Sequence, residues 1–349
     1  MIKKTKRFAI AGDNIGATIK DVAKLAGLSI ATISKYINGG NVLEKNRIKI
    51  EQAIKQLDFK VNEVARGLKT NRTMTIGVLI PDLKNVFGAT IISNIEDILT
   101  RYGYSMMVCN YKQGPCQERE KLEFLEKKMV DGIIIMPTGS NSQYISKLIN
   151  NEVPVISIDR PIPDVDCDTV MVDNQNATYN AVEQLIVRGH RRIGIICGPE
   201  GNYTADERLK GYLRVYEDYS LKMDSTLIKK GNYDVESGYN LLNELLDHEN
   251  PVTAVLATNY EMTLGAIMAI NERNIDIPGD LSFIGFDNLQ MAKIVKPALT
   301  IVVQPMQQIC ENAANILLKR LNKDMSNFPS IIRLKTELVM GGSIREISY

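Results

Sequence analysis

The chain has 349 residues, a formal net charge of +1, 44% hydrophobic and 24% charged residues. This is the balance of a globular protein long enough for roughly two or three domains, and it excludes disorder, collagen and coiled coil. No window approaches the ~20 continuous apolar residues of a membrane span, so a chain that does not cross a membrane is expected. Five scattered cysteines without a Cys-x-x-Cys pair argue against a disulfide framework and fit a reducing cytoplasm. The two histidines, His190 and His248, stand apart from any second ligand, so neither a metal nor a cofactor is expected.

Charge is unevenly distributed. Up to Arg72 there are 15 Lys and Arg against 6 Asp and Glu, and beyond it 27 against 35, so a basic module precedes an acidic body. Residues 1–17 begin with a basic run, but Asp13 and Asn14 cut its apolar part too short for a signal peptide, and a flexible basic tail is expected. From Thr18 to Asn38 apolar residues follow helical spacing on both sides of Gly27. Thr18 is placed to cap the first helix, with Asp21 three residues on, and Ser29 to cap the second. Val22, Leu28 and Ile33 then face a shared core, Ala23 is small where the helices cross, and Gly27 permits a turn at φ > 0. This pattern reads as a helix-turn-helix rather than an ordinary helical hairpin, and Ile50, Ala53, Ile54 and Leu57 supply a third helix. A helix-turn-helix sets the start of its second helix into the DNA major groove. Ile30, Ala31 and Lys35 would face base edges there, and Thr32, Ser34 and Asn38 would reach phosphates.

The segment Asn62-Glu-Val-Ala-Arg-Gly-Leu-Lys69 has a capping residue, with Val64, Ala65 and Leu68 on one face. It is too short to be a stable helix alone, since helices below ~12 residues are marginal. It reads either as a plain linker or as a helix that forms on DNA and offers Leu68 as a minor-groove wedge.

From Ile76 the pattern becomes alternating strands and helices. Apolar β-type runs cover 76–80, 104–109, 132–136, 154–158, 169–172, 193–197, 252–257 and 281–286, with helices such as 89–102, 177–188 and 262–273 between them. Repeated βα units imply parallel sheets, and over 270 residues they imply two doubly wound lobes. Ligands in such folds bind beyond the carboxyl ends of the strands. The residues there are polar: Asp82, Asp159-Arg160, Asp173-Asn174, Asn259 and Asp287-Asn288. With Arg208 and Tyr233 they suit a hydroxyl-rich ligand, although any single Asp or Asn can equally be a plain helix cap.

These residues resemble the LacI/GalR (lactose-repressor-like) family of bacterial transcription regulators over nearly the whole chain after residue 17. The resemblance is most specific in Ile19-Lys-Asp-Val-Ala-Lys-Leu-Ala-Gly-Leu-Ser-Ile-Ala-Thr-Ile-Ser-Lys35. The hinge from Asn62 to Leu68, Asp131-Gly-Ile-Ile-Ile135, Gly189-His-Arg-Arg-Ile-Gly194 and Ile284-Gly-Phe-Asp-Asn288 also match. The resemblance implies a cytoplasmic homodimeric repressor-type regulator of carbohydrate or related metabolism, which binds double-stranded operator DNA and a small sugar-like effector between two lobes of periplasmic-binding-protein-like fold. By motif position, the DNA-binding set becomes Thr18, Ser29, Ile30, Ala31, Thr32, Ser34, Lys35, Asn38, Asn62, Ala65, Leu68 and Lys69. The effector set becomes Asp82, Phe87, Asp159, Arg208, Tyr233, Asn259, Asp287 and Gln304. The expected partition is a tail at 1–17, a helix-turn-helix domain at 18–60, a hinge helix and linker at 61–73, and an effector-binding and dimerisation domain at 74–349. Its first lobe is placed at about 74–162 and 300–325, and its second at about 163–299 and 326–349.

Some positions depart from the family pattern. Lys35 stands where Arg is usual, so a bidentate guanine contact becomes a flexible point charge. Val61 replaces a proline, Gly67 loosens the hinge, and Tyr260 follows Asn259 where an Asp is usual. The tail after Gly341 has no leucine heptad, which favours a dimer over a tetramer. Three other readings compete. An enzyme would need a phosphate loop or nucleophile elbow that is missing; Asp159 and Asp287 would be its paired carboxylates, and His190 lies at the wrong end of its strand. A secreted sugar-binding protein conflicts with the basic helix-turn-helix. A regulator with a phosphocarrier protein as corepressor is suggested by Val303-Gln-Pro-Met306, a run also common elsewhere in the family.

Overall fold

The computed structural model describes residues 17–60, 72–112, 114–287 and 289–347. They form two compact units, one before and one after the Thr73–Met74 junction. Most of the expected tail, and the hinge residues Asn62, Ala65, Leu68 and Lys69, lie outside the described residues.

The first unit is three helices: α1 (Ile19–Ala26), α2 (Ile30–Ile37) and α3 (Glu44–Gln56). Thr18 and Asp21 close a reciprocal capping box, the Thr18 N–H donating to the Asp21 carboxylate at 2.9 Å and the Asp21 N–H to Thr18 Oγ1 at 3.4 Å. Gly27 ends α1 at φ 63°, where a Cβ would be strained, and Ser29 caps α2 by accepting from the Thr32 N–H at 3.1 Å. Val22, Ala23, Ala26, Ile33, Ile50 and Ala53 form the core, with Leu28, Ile54 and Leu57 packed at its edge. The Tyr36 hydroxyl ties α2 to α3 by donating to Glu51 at 2.9 Å, which periodicity alone did not reveal.

In the second unit the chain runs β1 (Thr75–Ile80), α4 (Val86–Arg101), β2 (Ser105–Asn110), α5 (Pro115–Lys127), β3 (Gly132–Ile135), α6 (Ser142–Asn150), β4 (Val155–Ile158) and β5 (Asp168–Val172). It continues through α7 (Asn174–Ile186), β6 (Ile193–Cys197), α8 (Tyr203–Asp218), β7 (Ile228–Lys230), α9 (Val235–Leu246), β8 (Ala254–Ala257), α10 (Tyr260–Glu272) and β9 (Ser282–Phe286). The remaining elements are α11 (Leu289–Ile294), β10 (Thr300–Val303), α12 (Met306–Leu321), β11 (Ile331–Leu334) and β12 (Glu337–Val339). Two six-stranded sheets result, in the orders β11-β5-β4-β3-β1-β2 and β12-β10-β9-β8-β6-β7, and only β12 runs antiparallel to its neighbour. Helices cover the faces, so central strands such as β3, β4, β8 and β9 are buried along their whole length, as parallel strands require.

All eight apolar runs are strands, but the expected lobe limits need correction. Strand β5, assigned to the second lobe, pairs with β4 in the first sheet, as does β11 with β5. Strand β10, assigned to the first lobe, pairs with β9 in the second. The chain therefore crosses between sheets after β5, after β10 and between β11 and β12. A short strand carries no mark of its pairing partner in its own residues, and the partner decides its sheet. Bidentate contact of Arg320 on α12 with Asp168 at the start of β5, at 2.8 and 2.9 Å, fastens the returning chain to the first lobe.

Residues 341–347 are stitched along the amino-terminal ends of the second sheet. The Phe283 N–H donates to the Ser343 carbonyl at 2.9 Å, the Arg345 N–H to Ser282 Oγ at 3.0 Å and the Ile347 N–H to the Arg188 carbonyl at 2.8 Å. Buried His190 lies beneath, its Nε2 3.2 Å from the Arg345 carbonyl and its Nδ1 2.8 Å from Thr253 Oγ1. A carbonyl only accepts, so Nε2 carries the proton. Burial lowers the His190 pKa, and Arg345, Arg188 and Arg191 add to that. The folded state binds the second proton more weakly than the unfolded state, so this stability is present above the ordinary imidazole range and is lost as pH falls through the folded value. Accordingly, His190→Gln should flatten the fall in melting temperature between pH 7 and pH 5, and His190→Ala should destabilise by about 1–3 kcal/mol at pH 7.5. Denaturation followed across pH checks both; identical pH profiles for wild type and His190→Gln would refute the role.

Candidate ligand cavity and nucleic-acid interface

The carboxyl ends of both sheets open onto one cavity of about 350 Å3. Asp82, Phe87, Asp159, Arg208, Tyr233, Asn259, Asp287 and Gln304 all line it. Asp82 follows β1, Asp159 follows β4, Asn259 follows β8, Asp287 follows β9 and Gln304 follows β10; the strand-end rule names the first four, and Gln304 follows a strand outside the eight expected runs. Phe87 comes from the first turn of α4, Arg208 from α8 and Tyr233 from the loop before α9.

Asp159 and Asp287 occupy matching places. Each leaves its strand at positive φ, 76° and 78°, and each donates its backbone N–H to the neighbouring strand, Asp159 to Val170 at 3.0 Å and Asp287 to Val302 at 2.7 Å. The ladder is thus continued by one residue while the side chain is turned into the cavity. Tyr233 is also left-handed, at φ 61°. Such backbone in non-glycine residues costs about 1–3 kcal/mol apiece and persists where the surroundings hold it. The Tyr233 ring fits because residue 198 is glycine: a Cβ there would lie 2.0 Å from the ring.

Arg208 is buried, donating Nε to Asn174 at 2.8 Å and Nη1 to the Thr258 carbonyl, with its guanidinium 4.2 Å from the centre of the Phe286 ring. Arg160 holds Asp159 through two contacts at 2.8 and 3.0 Å. Gln304 donates to Asp287 at 2.6 Å. Burial pushes the Asp287 carboxyl above its ordinary range; Arg208 and the Gln304 bond pull it down, and Asp159 pushes it up. Asp82, Asp159, Glu261 and Asp287 line the cavity with the guanidiniums of Arg160 and Arg208, and Glu200 at its rim is paired with Lys230 at 2.9 Å, so the lining is rich in acceptors. Such a cavity suits ligands that present hydroxyl or amine donors. Asp173 caps α7 and is not among the cavity residues, the plain cap reading. Glu261, Asn85, Tyr111 and Thr204 also line the cavity and escaped the sequence reading, Glu261 and Asn85 because both look like ordinary helix starts. Among the described residues no cluster of His, Cys, Asp or Glu can hold a metal ion, and no helix is long and apolar enough to cross a membrane.

In the first unit Ile30, Ala31 and Lys35 are exposed along one side of α2, and Ile30 keeps 46% of its surface. Ala31, Thr32 and Lys35 border a groove closed by Asn41, Val42, Leu43 and Asn46. Thr18, Ser29 and Thr32 also act locally: Thr18 in its capping box, and the Ser29 and Thr32 hydroxyls bonded to each other at 2.9 Å. Asn38 donates to Ser34 at 3.3 Å.

Likeness to known proteins extends over both units. Residues 18–62 match the model for bacterial regulatory proteins of the lacI family, and residues 73–333 match that for periplasmic binding proteins and the sugar binding domain of the LacI family. The chain is 35% identical over 322 residues to catabolite control protein A of Priestia megaterium, covering 92% of this chain and 97% of that one. It is 33% identical over 334 residues to the HTH-type transcriptional repressor PurR of Actinobacillus pleuropneumoniae serotype 3 (strain JL03), covering 95% and 99%. Among solved structures, the transcriptional regulator CelR–cellobiose complex superposes with a TM-score of 0.71 at 27% identity, covering 94% of this chain and 99% of that one.

Because a raised carboxyl pKa means that the folded state binds the proton more tightly, charged Asp287 destabilises the ligand-free protein at neutral pH, and this cost shrinks as pH falls below the folded value. Asp287→Asn should therefore raise the ligand-free melting temperature by about 2 °C at pH 7.5, with the gain disappearing towards pH 4. A scanning-calorimetry series in which the variant melts below wild type at pH 7.5 would contradict it.

Proposed function

The chain belongs to the lacI family of bacterial regulatory proteins, which are DNA-binding transcriptional regulators and not enzymes, and from that premise we propose that it is a repressor whose grip on an operator is set by a small, hydroxyl-rich effector in the cavity between its lobes. One observation carries the proposal: eight residues named from strand ends and family motif positions, far apart in the chain, line one acceptor-rich cavity, in a chain that also holds a capped helix-turn-helix. CelR, of similar fold and extent, forms a complex with cellobiose, which supports a sugar or sugar derivative as ligand.

On DNA, α2 enters the major groove with Ile30, Ala31 and Lys35 towards base edges, while Thr18, Ser29, Thr32, Ser34 and Asn38 serve phosphates. The cap hydroxyls fit this role because a helix start already directs N–H groups outwards at an anion. Two copies, acting as a cytoplasmic homodimer, read a pseudo-palindrome; Asn62, Ala65, Leu68 and Lys69 form the hinge contacts, with Leu68 wedged into the central minor groove. Effector binding alters the angle between lobes and hence the spacing of the paired hinges, with a coupling of about 1–3 kcal/mol, or roughly 5- to 150-fold in operator affinity. The alternative, a regulator with a phosphocarrier protein as corepressor, is read from Val303-Gln-Pro-Met306; within that run Gln304 lines the cavity, where it donates to Asp287.

Two measurements check the reading. With an operator selected from a random duplex pool, Lys35→Ala should cost about 1–3 kcal/mol and relax base preference at one position, and Leu68→Ala should weaken binding to the selected site. Gel-shift titrations showing both variants indistinguishable from wild type would refute the docking geometry. In a thermal-shift screen of neutral sugars and nucleosides, a ligand at 100 times its Kd adds ~2.7 kcal/mol. A stabilising ligand that also stabilises Asp287→Ala to the same extent would place the effector elsewhere.

A further inference from the structure

Helices α4 and α10 begin at the cavity, one from each lobe, and their capping residues are both asparagines. Asn85 Oδ1 accepts from the Gly88 N–H at 3.0 Å, and Asn259 Oδ1 accepts from the Met262 N–H at 3.0 Å. Capping fixes both amides the same way round: each oxygen is spent on its own helix, so each NH2 points away from it. Those two NH2 groups converge on Glu261. Asn85 Nδ2 donates to Oε1 at 3.0 Å and Asn259 Nδ2 donates to Oε2 at 2.7 Å. One carboxylate, itself in the first turn of α10, is therefore held by two donors whose orientation cannot be exchanged without uncapping a helix, and its bond from Asn85 crosses between the lobes. Each helix start also brings the positive end of its dipole to the same place.

This is a site for an anion, already filled by the protein's own side chain. Burial raises the Glu261 carboxyl pKa, the backbone N–H groups of Glu261 and Val86 oppose this, and the like charge of Asp287 adds to it. With Asp287 as a near neighbour, a second anion entering this end of the cavity would meet two carboxylates and find the asparagine donors occupied.

Given that the cavity is the effector site, we propose that Glu261 is its specificity-determining residue: an internal carboxylate that bridges Asn85 and Asn259, holds the lobes together, and restricts the cavity to neutral or cationic effectors by occupying the place of a carboxylate or phosphate. Gln is a poor substitute, because its own NH2 would face one of the two asparagine NH2 groups. Ala leaves the anion site open.

The test does not depend on knowing the effector. Full-length Glu261→Ala is melted in sodium acetate and in sodium chloride at equal ionic strength. Acetate, the removed head group, should raise the melting temperature of the variant by about 2 °C over chloride and leave wild type unmoved. An equal response of both proteins overturns the proposal. If Glu261→Ala does not fold, Asn85→Asp serves instead: it retains a cap but sets a carboxylate against Glu261, and hydrogen exchange of peptides covering 85–90 and 258–265 should quicken relative to wild type. Unchanged exchange overturns the bridge. In a ligand series, glucose and ribose are compared with their phosphates. Stabilisation of wild type by a phosphate, lost in Asp287→Ala, sinks the role of Glu261 and leaves the cavity reading intact; stabilisation equal in wild type and Asp287→Ala sinks the cavity reading itself, while the acetate result still decides the anion site.

Discussion

The strand-end turns at Asp159 and Asp287 are the constraint on which the rest of the sensing unit depends. Each residue must prolong a parallel ladder through its N–H and, in the same step, leave the sheet with a left-handed backbone so that its carboxylate enters the cavity. A glycine would take this conformation without strain but would bring no acceptor. The protein keeps the acceptor and accepts the strain, which is the usual sign of a position retained for function. Since the same device ends β4 in one sheet and β9 in the other, the two lobes present equivalent edges to whatever lies between them.

Around those edges the electrostatics are unbalanced by construction. Arg160 is committed to Asp159, and much of Arg208 is committed to Asn174 and the Thr258 carbonyl, so the carboxylates exceed the cations left to serve them. Burial disfavours charge on Asp287 in the ligand-free state, and under the proposed function a donor-bearing ligand at that carboxylate recovers the cost. A sensor gains from this arrangement, since a ligand shifts an equilibrium only by its difference in affinity for the two states.

Legibility from the sequence followed the range of the interactions. The helix-turn-helix was readable because its determinants lie within three or four residues of one another: Thr18 with Asp21, Ser29 with Thr32, and Gly27 at the turn. The eight apolar runs were readable because buried parallel strands are continuously apolar, and Asp82, Asp159, Asn259 and Asp287 because the carboxyl end of each run is a position in the chain; Phe87 and Gln304 came only from the family resemblance. The sheets to which β5, β10 and β11 belong were not readable, since that depends on partners far away in sequence, and Asp168 reveals its role only once Arg320 is seen beside it. Glu261 was missed for the same reason. In the chain it is a common acidic residue in a first helical turn, and only the approach of Asn85 from the other lobe makes it a bridge.

Linkage offers the most direct test of the central claim, that cavity and operator are coupled. For the ligand giving the largest thermal shift, its affinity is measured by calorimetry with and without saturating selected operator, and operator affinity is measured by fluorescence anisotropy with and without saturating ligand, at one salt concentration. The account predicts the same factor in both directions, between about 5 and 150. Tight binding of both partners with a factor of one would contradict it.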